Sequence, residues 1–164
     1  MRKASINRKL GFCLASCLAG IPLLSDASTT VTVKVTVIAA PSCIINDNRP
    51  IEVNFSDVIT TRVDGSNYRM PVPYSLSCSA ETSNAMKLQI QGNVADFDNT
   101  VLQTNKTELG IELQQDDSKV AVNHWLNFTY PNQPQLWAVP VKQSGATLTG
   151  GEFSATATMK VDYQ

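Results

Sequence analysis

Gly151-Glu152-Phe153-Ser154-Ala155-Thr156-Ala157-Thr158-Met159-Lys160-Val161-Asp162-Tyr163-Gln164 is the stretch that decides how the chain is read. Phe153, Ala155, Ala157, Met159, Val161 and Tyr163 take every second position, and Ser154, Thr156, Thr158, Lys160 and Asp162 fill the gaps. That period of two belongs to a half-buried β-strand. No hairpin partner follows it, so one of its hydrogen-bonding edges is expected to stay open until something pairs with it.

A second alternating run lies near the other end. Val31, Val33, Val35 and Val37 share one face, with Thr30, Thr32, Lys34 and Thr36 on the other, and β-branched residues favour extended backbone. Ala39-Ala40-Pro41-Ser42 then separates this run from Cys43. Periodicity leaves two readings open: the first strand of a complete sandwich, or an arm that pairs elsewhere.

The first residues have the form of an export signal. Arg2, Lys3, Arg8 and Lys9 precede an apolar run from Leu10 to Leu24 that ends at small residues, which predicts a signal peptide over 1–27 with cleavage after Ala27. Leu14-Ala15-Ser16-Cys17 also fits a bacterial lipoprotein box, but the apolar run continues beyond Cys17. Ordinary cleavage is therefore preferred. It leaves 137 residues, enough for one domain with a real core. It also leaves nine basic and thirteen acidic residues, and a net charge of −4 argues against nucleic acid or an anionic membrane surface as a partner. Cys43 and Cys78 are the two cysteines that remain, and an even pair in an exported chain predicts one disulfide.

Between Cys43 and the terminal stretch, short strand signals alternate with turn residues. Ile51, Val53 and Phe55 alternate, as do Met70 through Cys78, where Pro71 and Pro73 predict an edge or irregular strand. Met86, Leu88 and Ile90, then Leu109, Ile111 and Leu113, then Trp137, Val139 and Val141 follow the same pattern, with Asp64-Gly65-Ser66-Asn67 and Asp116-Asp117-Ser118 as turns. Trp125, Phe128 and Tyr130 are expected to fill the core or its ends. Six or seven strands and no helical pattern predict an all-β, immunoglobulin-like sandwich.

Catalytic chemistry is missing. His124 is the one histidine, too few for a metal cage or a Ser/His/Asp centre, and is expected to be a surface or structural residue. Asp96 with Asp98, and Asp116 with Asp117, fall in predicted turns without a calcium-loop pattern. No catalytic residue, metal site or cofactor is expected.

The terminal pattern resembles the carboxy-terminal motif of pilins assembled by the chaperone–usher pathway: a glycine fourteen positions from the end, alternating apolar residues and a penultimate tyrosine. The Cys43/Cys78 spacing, Val53-Asn54-Phe55-Ser56-Asp57, Leu109-Gly110-Ile111 and an alternating arm ahead of the first cysteine are also similar to that family. The resemblance implies an immunoglobulin-like sandwich lacking its seventh strand, divided into a signal peptide (1–27), a donor-strand extension (28–42) and a pilin domain (43–164). It implies that Gly151, Phe153, Ala155, Ala157, Met159, Val161, Tyr163 and Gln164 border an open groove. A periplasmic chaperone lends a strand to such a groove and holds the terminal carboxylate with basic residues. At the outer-membrane usher, the arm of a neighbouring subunit takes its place. Chaperone–pilin complementation is itself a known instance of recognition by β-strand addition. For this chain the resemblance implies Val31, Val33, Val35 and Val37 as the donor side chains, with one departure, since many arms of the family carry glycine where Val35 stands. The expectation is a structural fimbrial subunit of minor or adaptor type, passing through the periplasm to the bacterial surface and supporting adhesion. The competing expectation is an outer-membrane lipoprotein or periplasmic binding module with a complete sandwich, in which the valine run is an integral strand.

Overall fold

Met86, Leu88 and Ile90 are 1%, 0% and 8% exposed, while Lys87, Gln89 and Gln91 between them are not buried, so this strand is one-faced as its sequence pattern requires. The computed structural model describes residues 42–79 and 83–164. Both the valine run at 31–37 and the predicted signal peptide lie outside the described residues.

Eleven short strands occur among the described residues: β1 (Ser42–Ile45), β2 (Met70–Pro71), β3 (Leu76–Ser79), β4 (Ala85–Gly92), β5 (Val94–Ala95), β6 (Asp98–Gln103), β7 (Leu109–Gln115), β8 (Ser118–Val120), β9 (Trp125–Thr129), β10 (Leu136–Lys142) and β11 (Ala157–Tyr163). One sheet runs β2-β10-β7-β6-β5, with β8 also paired to β7. A second runs β11-β4-β9, and β1 pairs with β3 alone. All pairings are antiparallel. The core lies between the larger sheets and joins Met86, Leu88 and Ile90 to Phe128, Leu102, Ile111, Leu113, Leu136 and Ala138. This is an incomplete immunoglobulin-like β-sandwich.

Several strand expectations change in detail. The alternation from Met70 to Cys78 is broken into β2 and β3, because Pro71 and Pro73 cannot donate to a ladder; Val72 still donates to Leu136 O at 2.9 Å. Ile51–Phe55 keeps its alternating exposure but has no ladder partner among the described residues. Trp137, Val139 and Val141 do not face the core. Their register partners are Gln114, Glu112 and Gly110, whereas Ala138 and Pro140 oppose Leu113 and Ile111, so the even-numbered positions of β10 point inward. Val139 is nevertheless fully buried on the outer face. The segment around Val63, itself 2% exposed, covers that face, and a Cβ at Gly65 would stand 3.5 Å from Val141 Cγ1. Nor do both tryptophans plug the core: Trp125 is 44% exposed with Lys87 Nζ 5.1 Å from its ring centre, and Trp137 lies under Arg69, whose guanidinium carbon is 4.4 Å from the ring centroid. Of the other expected aromatics, Phe128 is buried and Tyr130 packs partly buried against the core.

The turns form as their chemistry dictates. Asp64 Oδ1 accepts from the backbone N–H of Ser66 and Asn67 at 2.9 and 2.8 Å, which holds its carboxyl below the ordinary range. Cys43 and Cys78 are register partners on β1 and β3 and are joined by a disulfide. The cross-link spans a sequence separation of 35, so the Cys43→Ser/Cys78→Ser chain should lose about 3–4 kcal/mol of stability. The drop in urea midpoint against the parent chain reads this directly.

On the outer face, Asp98 accepts from the Thr100 hydroxyl at 2.6 Å and its N–H at 2.9 Å, and Lys119 Nζ bridges Asp98 Oδ2 at 2.9 Å and Glu112 Oε2 at 3.0 Å. The Thr100 bonds, then Lys119, lower the Asp98 carboxyl to about 2. A depressed carboxylate stabilises the fold in full above its unfolded value, about 3.9, and loses that contribution as pH falls toward 2. Asp98→Asn should therefore flatten the fall in urea midpoint across this acid window and leave the slope near neutrality unchanged.

Candidate functional site

β11 is held from one side. Seven register pairs, Ala157 with Gly92 through Tyr163 with Met86, bind it to β4, and among the described residues no strand lies on its other edge. Ahead of β11 the chain stays extended from Phe153 to Thr156 without a ladder. Ser154 alone is pinned there: its N–H donates to Asn105 Oδ1 at 2.9 Å and its carbonyl accepts from Asn105 N at 3.1 Å. The predicted strand is thus shorter as a ladder than as a pattern, because β4 ends at Gly92. Gly151 begins the segment at φ 107°, a conformation that favours glycine.

Beside this edge runs a cleft of about 540 Å³. Ile51, Val53 and Phe55 form one wall, Phe153, Ala155, Ala157 and Met159 the other, and Ile90, Leu102, Ile111, Leu113, Leu136 and Ala138 from the core lie between. A second cavity, about 920 Å³, shares Phe55, Phe153 and Ala155 and extends past them to Val63, Lys106, Leu109 and Leu148. Both walls are segments with apolar residues at alternate positions, and among the described residues no strand lies between them.

Burial along the terminal strand matches this opening. Met159, Val161 and Tyr163 pair with Ile90, Leu88 and Met86 on one face, yet the β4 residues are buried and the β11 residues only partly so. Phe153 and Ala155 are likewise half-buried, and Ala157, which the alternation assigns to the same inward face, is exposed. At the other end, Gln164 fastens the strand across its sheet. Its N–H donates to Ala85 O at 3.1 Å, and its side-chain Nε2 donates to Met86 O at 2.8 Å and Phe128 O at 3.2 Å. The groove is apolar; Arg49 at its rim pairs with Asp47 at 2.9 Å.

Sequence reasoning located the terminal wall but missed Ile51–Phe55 as its counterpart. The available signal was an alternating stretch of five residues, which reads as a short strand and says nothing of what it faces. The other candidates remain separate from the groove. His124 is exposed, with Nδ1 3.0 Å from Val122 O, and no group of three or more potential metal-binding side chains occurs among the described residues. Asp117 belongs to a surface contact with Arg69 at 3.4 Å.

Among the described residues, then, the antiparallel sandwich leaves the outer edge of its terminal strand without a neighbouring strand. A family model described as "Fimbrial protein" matches residues 30–164, and the chain belongs to this fimbrial family. The uncharacterized fimbrial-like protein YfcR of Escherichia coli (strain K12) is 42% identical over 157 residues, covering 93% of this chain and 88% of the relative. The fimbrial adapter PapF of Escherichia coli is 26% identical, covering 94% of this chain and 98% of the relative. A solved structure of the P pilus adaptor subunit PapF aligns with TM-score 0.58 and 27% identity over 77% of this chain and 98% of that one. The chain is a fimbrial subunit, with other subunits as partners and the extracellular fimbria as its place. The family is structural rather than enzymatic. The lipoprotein or binding-module alternative finds no support among these relatives. No helix among the described residues is long and apolar enough to cross a membrane.

The unequal burial on the two paired strands is measurable. Leu88→Ala should cost about 2–5 kcal/mol, whereas Ala157→Ser should change stability by no more than about 0.5 kcal/mol. Comparable losses in urea titration would mean that the groove side is as closed as the core.

Proposed function

We propose that this subunit is of the adaptor type and is assembled by donor-strand complementation and exchange. Residues 1–27 direct export, 28–42 form the donor-strand extension and 43–164 form the pilin domain. In the periplasm a pilus chaperone lays a strand along the edge formed by Gly151, Phe153, Ala155, Ala157, Met159, Val161 and Tyr163, and basic chaperone residues hold the carboxylate of Gln164. At the outer-membrane usher, the arm of a neighbouring subunit replaces the chaperone strand. Val31, Val33, Val35 and Val37 of this chain enter another neighbour's groove in the same way. The role is structural and without a catalytic step; it involves no nucleic acid, and no membrane insertion follows signal removal.

The observation that carries this reading is the groove itself: among the described residues, an apolar strand with a single ladder faces a second unladdered wall, with core side chains lining the cleft between them. An extended peptide satisfies both deficits at once, the main-chain bonds through its backbone and the apolar surface through alternate side chains. The adaptor type rests on the similarity to PapF, which spans nearly the whole of both chains.

Four buried valines contribute about 1.5–3 kcal/mol each, whereas an unpaired carboxylate in an apolar groove costs several kcal/mol. Val33→Asp/Val37→Asp is therefore expected to abolish incorporation into fimbriae sheared from cells, while the subunit still co-purifies with its periplasmic chaperone. Incorporation at the parent level would defeat the assignment of the arm.

A further inference from the structure

The groove is not uniform along its length. Phe55 on one wall and Phe153 on the other both pack against the core, and their ring centroids are 5.9 Å apart with planes tilted by 33°. Neighbouring strands lie about 4.8 Å apart. Walls that admit one strand between them must therefore stand roughly 10 Å apart, with the newcomer's inward side chains filling the space between theirs. At Phe55 and Phe153 two rings already meet across that space. Two and four residues further along, Ala155 and Ala157 bring only methyl groups to it, and Ala157 is exposed.

We propose that the Phe55–Phe153 contact sets the register of the strand the groove accepts. It admits only a small side chain opposite Phe153 and takes β-branched aliphatic side chains opposite Ala155 and Ala157. This rests on the strand-acceptor reading above and adds a size rule to it. The occupant is an extended arm of a neighbouring subunit with that pattern of sizes. This chain's own alternating run has the pattern when laid antiparallel, the better-bonded arrangement of adjacent strands. Ala39 then falls opposite Phe153, Val37 opposite Ala155, Val35 opposite Ala157 and Val33 opposite Met159. A slip of one residue turns every valine to the wrong face. A slip of two in one direction drives Val37 against the rings, and in the other it places Pro41 there and only Ala39 opposite Ala155.

The test uses the full chain in complex with its periplasmic chaperone and, as probe, a fluorescent peptide copying residues 28–41. The parent peptide should be taken up in exchange for the chaperone. The Ala39→Phe peptide should be taken up at least tenfold more slowly, and Phe153→Ala or Phe55→Ala in the subunit should restore its rate to within about threefold of the parent. Equal uptake of both peptides by the unaltered subunit overturns the size rule and leaves the strand-acceptor reading standing. Slow uptake that neither subunit variant restores removes the rule from this pair of rings. If neither peptide displaces the chaperone, the strand-acceptor reading itself fails.

Discussion

The ladder between β11 and β4 is the constraint on which the rest of the molecule depends. Its seven register pairs fix which side chains of the terminal strand look inward, and therefore which apolar surface exists to be covered. Because that ladder occupies one edge only, Met159, Val161 and Tyr163 are pulled onto the core and left half-covered. Among the described residues no strand runs along the other edge of β11, and partly buried apolar surface lies beside that edge. Both are met by the same object, another strand, and by no compact ligand of ordinary shape.

The remainder of the sandwich is held by ladders away from that edge. β4 sits in the middle of its sheet with ladders to β11 and β9, and its inward side chains are among the most deeply buried in the domain. β10 is bonded to both β2 and β7, and Leu136 and Val139 are fully buried on its two faces, one toward the core and one beneath the segment around Val63. The disulfide fastens β1 to β3, a pair that would otherwise be a marginal two-stranded ribbon. The opening is thus confined to the gap between Ile51–Phe55 and the terminal segment.

Much of this was legible in the sequence because period two is a local signal. β4, β7 and the terminal strand announce themselves through side chains two apart, and the cysteines through their number and compartment. What was not legible depends on long-range pairing. Nothing local to Trp137-Ala138-Val139-Pro140-Val141 says that the smaller even-numbered residues face the core, since that follows from the register with Ile111 and Leu113 and from the approach of the segment at Gly65 to Val141 on the other face. The same holds for Ile51–Phe55, which reads as a short strand but lines the cleft as a wall, with no strand paired to it among the described residues. Proline was the more reliable guide: at Pro71 and Pro73 it foretold the broken strand that β2 and β3 became.

An open groove also makes stability a shared quantity. A ligand that binds only the folded chain stabilises it by RT ln(1 + [L]/Kd), so for this subunit the occupant of the groove is a term in the folding equilibrium itself. When the occupant is a strand attached to a neighbour, its effective concentration is set by the tether and not by the solution. A fibre built in this way gives each subunit a local concentration of its completing strand far above what free peptide could supply. Under the proposed donor-strand assembly, folding and assembly are one equilibrium, and a side-chain mismatch at a single groove position would weaken the subunit and the fibre together.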